Sequence, residues 1–246
     1  MSAPGPPFPA PPFPAPPRPL RGLLFDKDGT LFGFQATWGG WAADLVAALA
    51  GGDAAVRADL AARIRLDLAA RRFAPDSPVV AGTVDEAVAA MLPALPGWTA
   101  ARLRAHVVEE SRAIRPAEAV PLAPLLERLG RAGLALGVAT NDAEEAARAQ
   151  LATLGLAGAF PFLAGADSGH GAKPGPGPCL AFAAAAGLAP GQVAMIGDST
   201  HDLRAGRAAG MVCVAVLTGT AEADDLAPEA DVVLPDIGHL PAWLQL

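Results

Sequence analysis

The sequence predicts an α/β protein with a doubly wound, Rossmann-like parallel sheet and an inserted all-helical domain. Short apolar runs of strand length alternate with Ala-, Leu- and Arg-rich stretches of helical period, the pattern of a parallel sheet covered on both faces. Residues 37–115 contain several helical patterns and no clear strand. At 246 residues, with 52% hydrophobic and 17% charged residues, the chain is long enough to bury such a core.

The predicted elements follow one another in a regular order. The predicted strands are 23–25, 134–139, 160–164, 193–196, 212–217 and 232–234. The predicted core helices are 122–131, 144–154, 179–186 and 202–209. The predicted helices of the insertion are 41–49, 54–70, 84–90 and 100–111. Because all four lie between the first and second strands, we expect a helical cap over residues 37–115 and an α/β core formed by 20–36 and 116–246.

A proline-rich tail precedes the core. Residues 1–19 contain the unit Pro-Pro-Phe-Pro-Ala twice in tandem, which predicts an extended, disordered segment without a core of its own. Residues 11–14 also match a PxxP ligand for an aromatic-lined groove, an alternative that the sequence leaves open.

Composition excludes several classes of protein. The net charge is −7, so we expect no nucleic-acid partner, because duplex binding requires a basic face. Two cysteines are too few for a disulfide framework. Prolines interrupt the longest uncharged run, and the N-terminus lacks the apolar stretch of a signal peptide. We therefore expect a cytoplasmic protein with no membrane contact; the sequence gives no oligomeric state.

Two pairs of carboxylates follow predicted strands. Asp26 and Asp28 end the first strand and share one side of an extended segment, and Gly29 permits a sharp turn there. Asp198 ends a later strand, and Asp202 lies in the first turn of the next helix. The helix dipole explains one such acid but not two pairs, each at a strand end.

Two further strand ends carry polar residues. Thr140 and Asn141 follow an apolar run, and Lys173 precedes a proline. The chain has two lysines, Lys27 and Lys173, against sixteen arginines, which suggests that a compact charge is needed at Lys173. A surface lysine before a turn is the alternative.

These segments should converge, since ligands of open parallel sheets bind at the carboxyl ends of the strands. Carboxylates gathered there require a cation, because like charges raise one another's pKa. Mg²⁺ suits such a site, and Lys173 with Thr140 would then hold phosphoryl oxygens. The sequence thus predicts a site for an anionic phosphate beside a metal.

These four segments resemble the motifs of the haloacid dehalogenase-like hydrolase superfamily, and they stand in the same order along the chain: Asp-x-Asp-Gly-Thr, Thr140, Lys173 and Gly-Asp-x-x-x-Asp. The phosphoglycolate phosphatase-like branch, with its helical cap inserted after the first strand (a C1-type cap), is the most similar. The resemblance covers about residues 21–246 and implies an α/β core with the cap at 37–115.

The resemblance also implies roles for the site residues. Asp26 would be the nucleophile that forms an aspartyl-phosphate, and Asp28 the general acid and base. The predicted metal residues are Asp26, Asp28 through its backbone carbonyl, Asp198 and Asp202. The predicted phosphate-binding residues are Thr140, Asn141 and Lys173.

The function implied is a Mg²⁺-dependent phosphatase acting on a small phosphorylated metabolite, a phosphoglycolate-like monoester. One alternative is a phosphotransferase or mutase of the same superfamily. Another is a non-catalytic phospho-accepting or binding protein. A serine esterase is suggested by Gly197-Asp198-Ser199 alone, without the other motifs of that class.

Specificity is expected to come from the cap. We predict that residues 73–78 close over the leaving group and that Arg72 binds a substrate carboxylate. A solvated turn with surface arginines is equally compatible with the sequence. Lys27, between the two acids, is expected to point away from them and to serve packing or the surface.

Overall fold

The computed structural model describes residues 13–246. Its main sheet has six parallel strands: β1 (Gly22–Phe25), β4 (Ala135–Ala139), β5 (Phe162–Ala164), β6 (Val193–Gly197), β7 (Val212–Val216) and β8 (Val232–Leu234). Their order across the sheet is β5-β4-β1-β6-β7-β8. The chain adds strands on one side of β1 and then on the other, so the strand order reverses at β1. That reversal is where an open sheet forms a ligand crevice.

Helices cover both faces of this sheet. Those of the core are α5 (Leu122–Arg131), α6 (Glu144–Thr153), α7 (Gly177–Ala185), α8 (Thr200–Ala209) and the short α9 (Ala223–Leu226) and α10 (Leu240–Leu244). Leu23 and Phe25 of β1 pack in one apolar cluster, and Leu24 packs in another with Phe182. Successive residues of a strand face opposite sides, so β1 is buried on both faces. The predicted doubly wound α/β core is confirmed.

The insertion after β1 contains α1 (Phe34–Ala50), α2 (Ala54–Arg63), α3 (Val84–Met91) and α4 (Ala100–Arg112). It has its own apolar core, which includes Trp38, Leu60 and Leu103. We call residues 34–112 the cap. The division into a tail, a core and a cap with the boundaries given above remains a proposal.

The cap is not all-helical, which corrects the sequence-based prediction. The predicted helix 54–70 ends at Arg63, and an antiparallel hairpin follows, β2 (Leu66–Asp67) and β3 (Arg72–Phe73). Alanines 69 and 70 favour helix, but the Asp67 carboxylate accepts bonds from their N–H groups and so forms the turn. Leu66 and Phe73 are paired across the hairpin and are buried in the cap core.

Most of the predicted tail, residues 1–12, lies outside the described residues. At its end, the Phe13 ring packs edge-on against the His239 ring at 5.8 Å between centroids. Among residues 13–246, no helix has both the length and the apolar character needed to cross a membrane.

Candidate active site

The strand ends bring the predicted site residues together. Asp26 follows β1, Thr140 follows β4 and Asp198 follows β6, and these strands are neighbours in the sheet. Asp202 lies in the first turn of α8, one helical turn beyond Asp198. Lys173 reaches the same point from the loop between β5 and α7. All five residues are buried and line one cavity between the core and the cap.

Three carboxylates form a cluster at the centre of this site. One oxygen each from Asp26, Asp198 and Asp202 lies within 4.8 Å of the others. The Lys173 Nζ donates hydrogen bonds of 2.6 Å to Asp26 Oδ1 and of 2.6 Å to Asp202 Oδ1. Lys173 is thus the central cation of the cluster, as the shortage of lysine in the sequence suggested.

The cluster holds more negative than positive charge. Burial raises the pKa of Asp26 to about 7, with Lys173 opposing the rise and Asp202 adding to it. Burial, and then the charges of Asp26 and Asp202, raise the pKa of Asp198 well above its usual value. Burial alone would lower the pKa of Lys173, but Asp202 and Asp26 raise it. The lysine therefore stays charged without neutralising all three acids.

Such a donor set fits a hard divalent cation. The backbone packs closely around the carboxylate of Asp198, a candidate ligand. A β-carbon at Gly219 would lie 1.7 Å from Asp198 Oδ2, and one at Gly29 would lie 2.2 Å from the same oxygen. Gly29 also adopts φ of +92°, a conformation that side chains disfavour. These two glycines leave room for the Asp198 carboxylate at the strand end.

Two hydroxyl groups that the sequence reasoning missed hold these acids. Ser199 caps α8: its Oγ donates to Asp202 Oδ2 at 2.6 Å, and its N–H donates to the same oxygen at 3.1 Å. The Thr30 hydroxyl donates to Asp198 Oδ1 at 3.3 Å. A serine three residues before an acid is the sequence signature of such a cap, and Ser199-x-x-Asp202 carries it.

Asp28 lies beside the three-acid cluster, not within it. Its carboxylate forms an ion pair of 2.7 Å with Lys27, and its Oδ1 is buried without a hydrogen-bond partner among the described residues. Asp28 also lines the cavity.

Lys27 is fully buried, which excludes a surface role, and it pairs with Asp28, so the expectation that its side chain points away from that acid is wrong. Its Nζ contacts Asp28, lies 3.2 Å from Asp142 and donates to Gln150 Oε1 at 2.5 Å. The ring of Trp38 lies 5.2 Å from the same nitrogen. Burial would lower the pKa of Lys27, but Asp28 and Asp142 raise it, so the group stays charged. The sequence signal was the scarcity of lysine, which applied to Lys27 as well.

Thr140 and Asn141 use their side chains differently. The Thr140 Oγ1 accepts a bond of 3.1 Å from the N–H of Asp142, which leaves its hydroxyl hydrogen to donate. The Asn141 amide bonds the backbone of Lys173 through both its oxygen and its nitrogen, at 2.9 Å each. It also donates to the carbonyl of Ala81 in the cap at 2.9 Å. Asn141 therefore links the backbone of Lys173 to the cap loop, and its amide group is bonded to backbone groups and not directed at a phosphate.

The structure does not bring Arg72 to the cavity. Arg72 and Phe73 alternate along β3, so Phe73 is buried and lines the cavity while Arg72 is exposed. Arg71 bonds to Gly40 and Asp44 on α1. Of the predicted closing loop 73–78, only Phe73 lines the cavity; the next residues, 79–83, also line it, and Arg71 and Arg72, which precede Phe73, do not.

A family model of haloacid dehalogenase-like hydrolases matches residues 94–216, half of the chain. The chain belongs to this family. The chain is 38% identical over 126 residues to a phosphoglycolate phosphatase of Xanthomonas campestris, covering 49% of the chain and 57% of that protein. It is 34% identical over 141 residues to that of Escherichia coli, covering 56% of the chain and 54% of that protein. The chain thus spans little more than half the length of these curated relatives.

The fold has a close counterpart among solved structures. CbbY from Rhodobacter sphaeroides, in complex with phosphate, superposes with a TM-score of 0.68 at 22% identity, covering 92% of the chain and all of that protein. This similarity extends over the cap as well as the core, and it shows a shared fold.

Proposed function

We propose that this protein is a Mg²⁺-dependent phosphatase that hydrolyses a small phosphate monoester through an aspartyl-phosphate at Asp26. The observation that supports this most strongly is the buried Lys173 bound to both Asp26 and Asp202, with Asp198 beside them at the strand ends. The family assignment and the names of the curated relatives agree with this proposal.

Each residue has a role that its contacts allow. Asp26 attacks phosphorus, its oxygen forming the new bond as the bond to the leaving oxygen breaks. Asp28 gives a proton to that leaving oxygen and then takes one from the water that hydrolyses the aspartyl-phosphate. Lys173 and the Thr140 hydroxyl donate to the phosphoryl oxygens, where negative charge is concentrated.

The residues that fit the metal are Asp26, the backbone carbonyl of Asp28, and Asp198. When bound, Mg²⁺ supplies positive charge beside the phosphoryl group and orients it. Asp202 is not assigned as a direct metal ligand, because both its oxygens already accept hydrogen bonds, one from Lys173 and one from Ser199. Its proposed contribution is to hold Lys173 and to complete the negative charge of the site.

The proposed activity is tested by phosphate release from a panel of phosphate monoesters, with Mg²⁺ and with a chelator. We expect turnover of at least one ester with Mg²⁺ and loss of turnover with the chelator. Release that is unchanged by the chelator would contradict the metal requirement. Inhibition by a serine-directed phosphonate, with Asp26 dispensable, would favour the serine esterase.

Mg²⁺ affinity is expected to rise with pH. Because the pKa of Asp26 is raised to about 7, the metal-free protein holds a proton there that the cation must displace. One such proton makes binding about tenfold stronger at pH 8 than at pH 6. Calorimetric titration at both pH values, in buffers of different ionisation enthalpy, measures the affinity and counts the protons released. Equal affinity without proton release would contradict the assignment.

The same shift affects folding of the metal-free protein. Between the ordinary value of 3.8 and about 7, the folded state holds a proton at Asp26 that the unfolded state has lost. The stability contribution of Asp26 therefore falls as pH rises through this window. Saturating Mg²⁺ should restore stability most at the upper end of this pH window.

We also propose that the protein acts in the cytoplasm on a phosphorylated metabolite, with no nucleic-acid or membrane partner.

A further inference from the structure

The cavity above the carboxylates continues into the cap and becomes apolar there. Its volume is about 110 Å³. The carboxylates, Lys173 and Thr140 line the core side. The cap side includes aromatic and aliphatic side chains from two helices, the hairpin and the loop after it: Trp38, Trp41, Leu45, Phe73, Val80 and Met91. A phosphate held at the carboxylates would direct its organic group into this apolar part.

The cap offers this organic group no charge partner. Among the described cap residues that line the cavity, none is a lysine, arginine or histidine. Of these described lining residues of the cap, Thr83 and Ser111 carry the hydroxyl groups, and both hydroxyls are bonded within the cap. The Thr83 hydroxyl belongs to the capping box of α3 with Glu86, and the Ser111 hydroxyl donates to Val108 O at 2.8 Å.

On the core side, the charged groups near the organic group are mostly acidic. Lys173 is held by Asp26 and Asp202, and Lys27 by Asp28 and Asp142. His201 also lines the cavity from the core side. A carboxylate on the substrate would therefore lose its hydration without gaining a cation, and it would face like charges.

We propose that the site takes phosphate monoesters whose organic group is apolar, an alkyl or aryl alcohol, and disfavours phosphoglycolate. This inference rests on the proposed phosphatase function and specifies its substrate class. It departs from the substrate named for the curated relatives. Apolar contact with the cap would provide the selectivity, and the phosphate would provide the anchor.

The test compares methyl, ethyl, propyl and butyl phosphates with phosphoglycolate at pH 8 in Mg²⁺. The alkyl esters have leaving alcohols of similar acidity, so differences in kcat/KM report contact with the cavity. We expect kcat/KM to rise about fourfold with each added methylene group. Phosphoglycolate should react at least about tenfold more slowly than propyl phosphate, which has a similar length. A preference for phosphoglycolate would overturn the inference and leave the phosphatase intact.

Binding without turnover separates the two proposals. Propylphosphonate and phosphonoacetate are not hydrolysed, and calorimetry in Mg²⁺ measures their affinities directly. Tighter binding of propylphosphonate supports the apolar site whether or not any ester is turned over. Absence of turnover would count against the proposed phosphatase activity and not against the apolar site. Tighter binding of phosphonoacetate, or binding of neither compound, would overturn the inference.

A pair of variants on one helix locates the effect. Ala87 of α3 lines the cavity and is buried, whereas Ala89 on the same helix is exposed and outside the cavity. Ala87→Leu should reduce the ratio of butyl to methyl phosphate turnover at least about fivefold, because the larger leucine side chain occupies the space. Ala89→Leu should leave the ratio unchanged. Circular dichroism and thermal unfolding establish that both variants fold; if Ala87→Leu does not, the smaller Ala87→Val replaces it. An unchanged ratio in a folded cavity variant would contradict the proposal.

Discussion

Asp26→Asn is expected to lower kcat at least about a thousandfold while the protein remains folded. The amide oxygen of asparagine is a poor nucleophile, and no other carboxylate occupies the same place: Asp202 is tied to Ser199 and Lys173, and Asp28 to Lys27. The substitution removes a buried charge, while Lys173 keeps its bond to Asp202. Stability of the metal-free variant at pH 8 should therefore equal or exceed that of the parent.

The matched control is Asp224→Asn on α9, which replaces an exposed acid on the surface of the α/β domain. Its kcat and its thermal midpoint should match those of the parent within error. Initial-rate measurements on the best ester of the panel, with unfolding curves in parallel, provide both quantities. More than a tenth of the parent kcat in Asp26→Asn would show that the nucleophile lies elsewhere.

The second large effect is expected at Lys27. Lys27→Met keeps the length and the apolar stem of the side chain but removes the cation shared by Asp28 and Asp142. It also removes the donor to Gln150, whose amide bonds Ser111 O of the cap at 2.9 Å. Because two carboxylates that are only 15% and 10% exposed lose their partner, we expect a loss of about 3–5 kcal/mol in the free energy of unfolding.

Urea unfolding at pH 8 measures this loss. The control, Arg148→Met, breaks an exposed ion pair with Glu144 on α6 and should cost about 0.5 kcal/mol or less. Adding Asp142→Asn to Lys27→Met removes one of the stranded charges and should recover part of the stability. A loss below about 1 kcal/mol for Lys27→Met would mean that the buried pairs are not coupled to folding.

The sequence is sufficient to predict the strands of the α/β core and the acids that meet at their carboxyl ends. Strands buried on both faces are continuous apolar runs, so β1 and β6 were located to within a residue of their bounds. Parallel strands place their carboxyl ends at one edge, which is why Asp26, Thr140 and Asp198 were predicted to meet.

The features that sequence reasoning missed depend on contacts distant in the chain. Lys27 is buried because Asp142 and Gln150, more than a hundred residues away, supply its partners. Alanines 69 and 70 favour helix, and the pairing of Leu66 with Phe73 in the cap core overrides that tendency. The charge of Arg72 predicts a contact with the substrate, but the side of β3 on which it lies is set by the burial of its neighbour Phe73.

The most direct measurement is to trap the phosphorylated enzyme. Acid quenching during turnover of the best ester, reduction with borohydride and peptide mass spectrometry would convert a phosphorylated aspartate to homoserine and locate it in the sequence. Our account requires homoserine at position 26, formed with substrate and Mg²⁺ and absent when either is withheld. Hydrolysis that proceeds with an unmodified Asp26, or with the label at another residue, would contradict it.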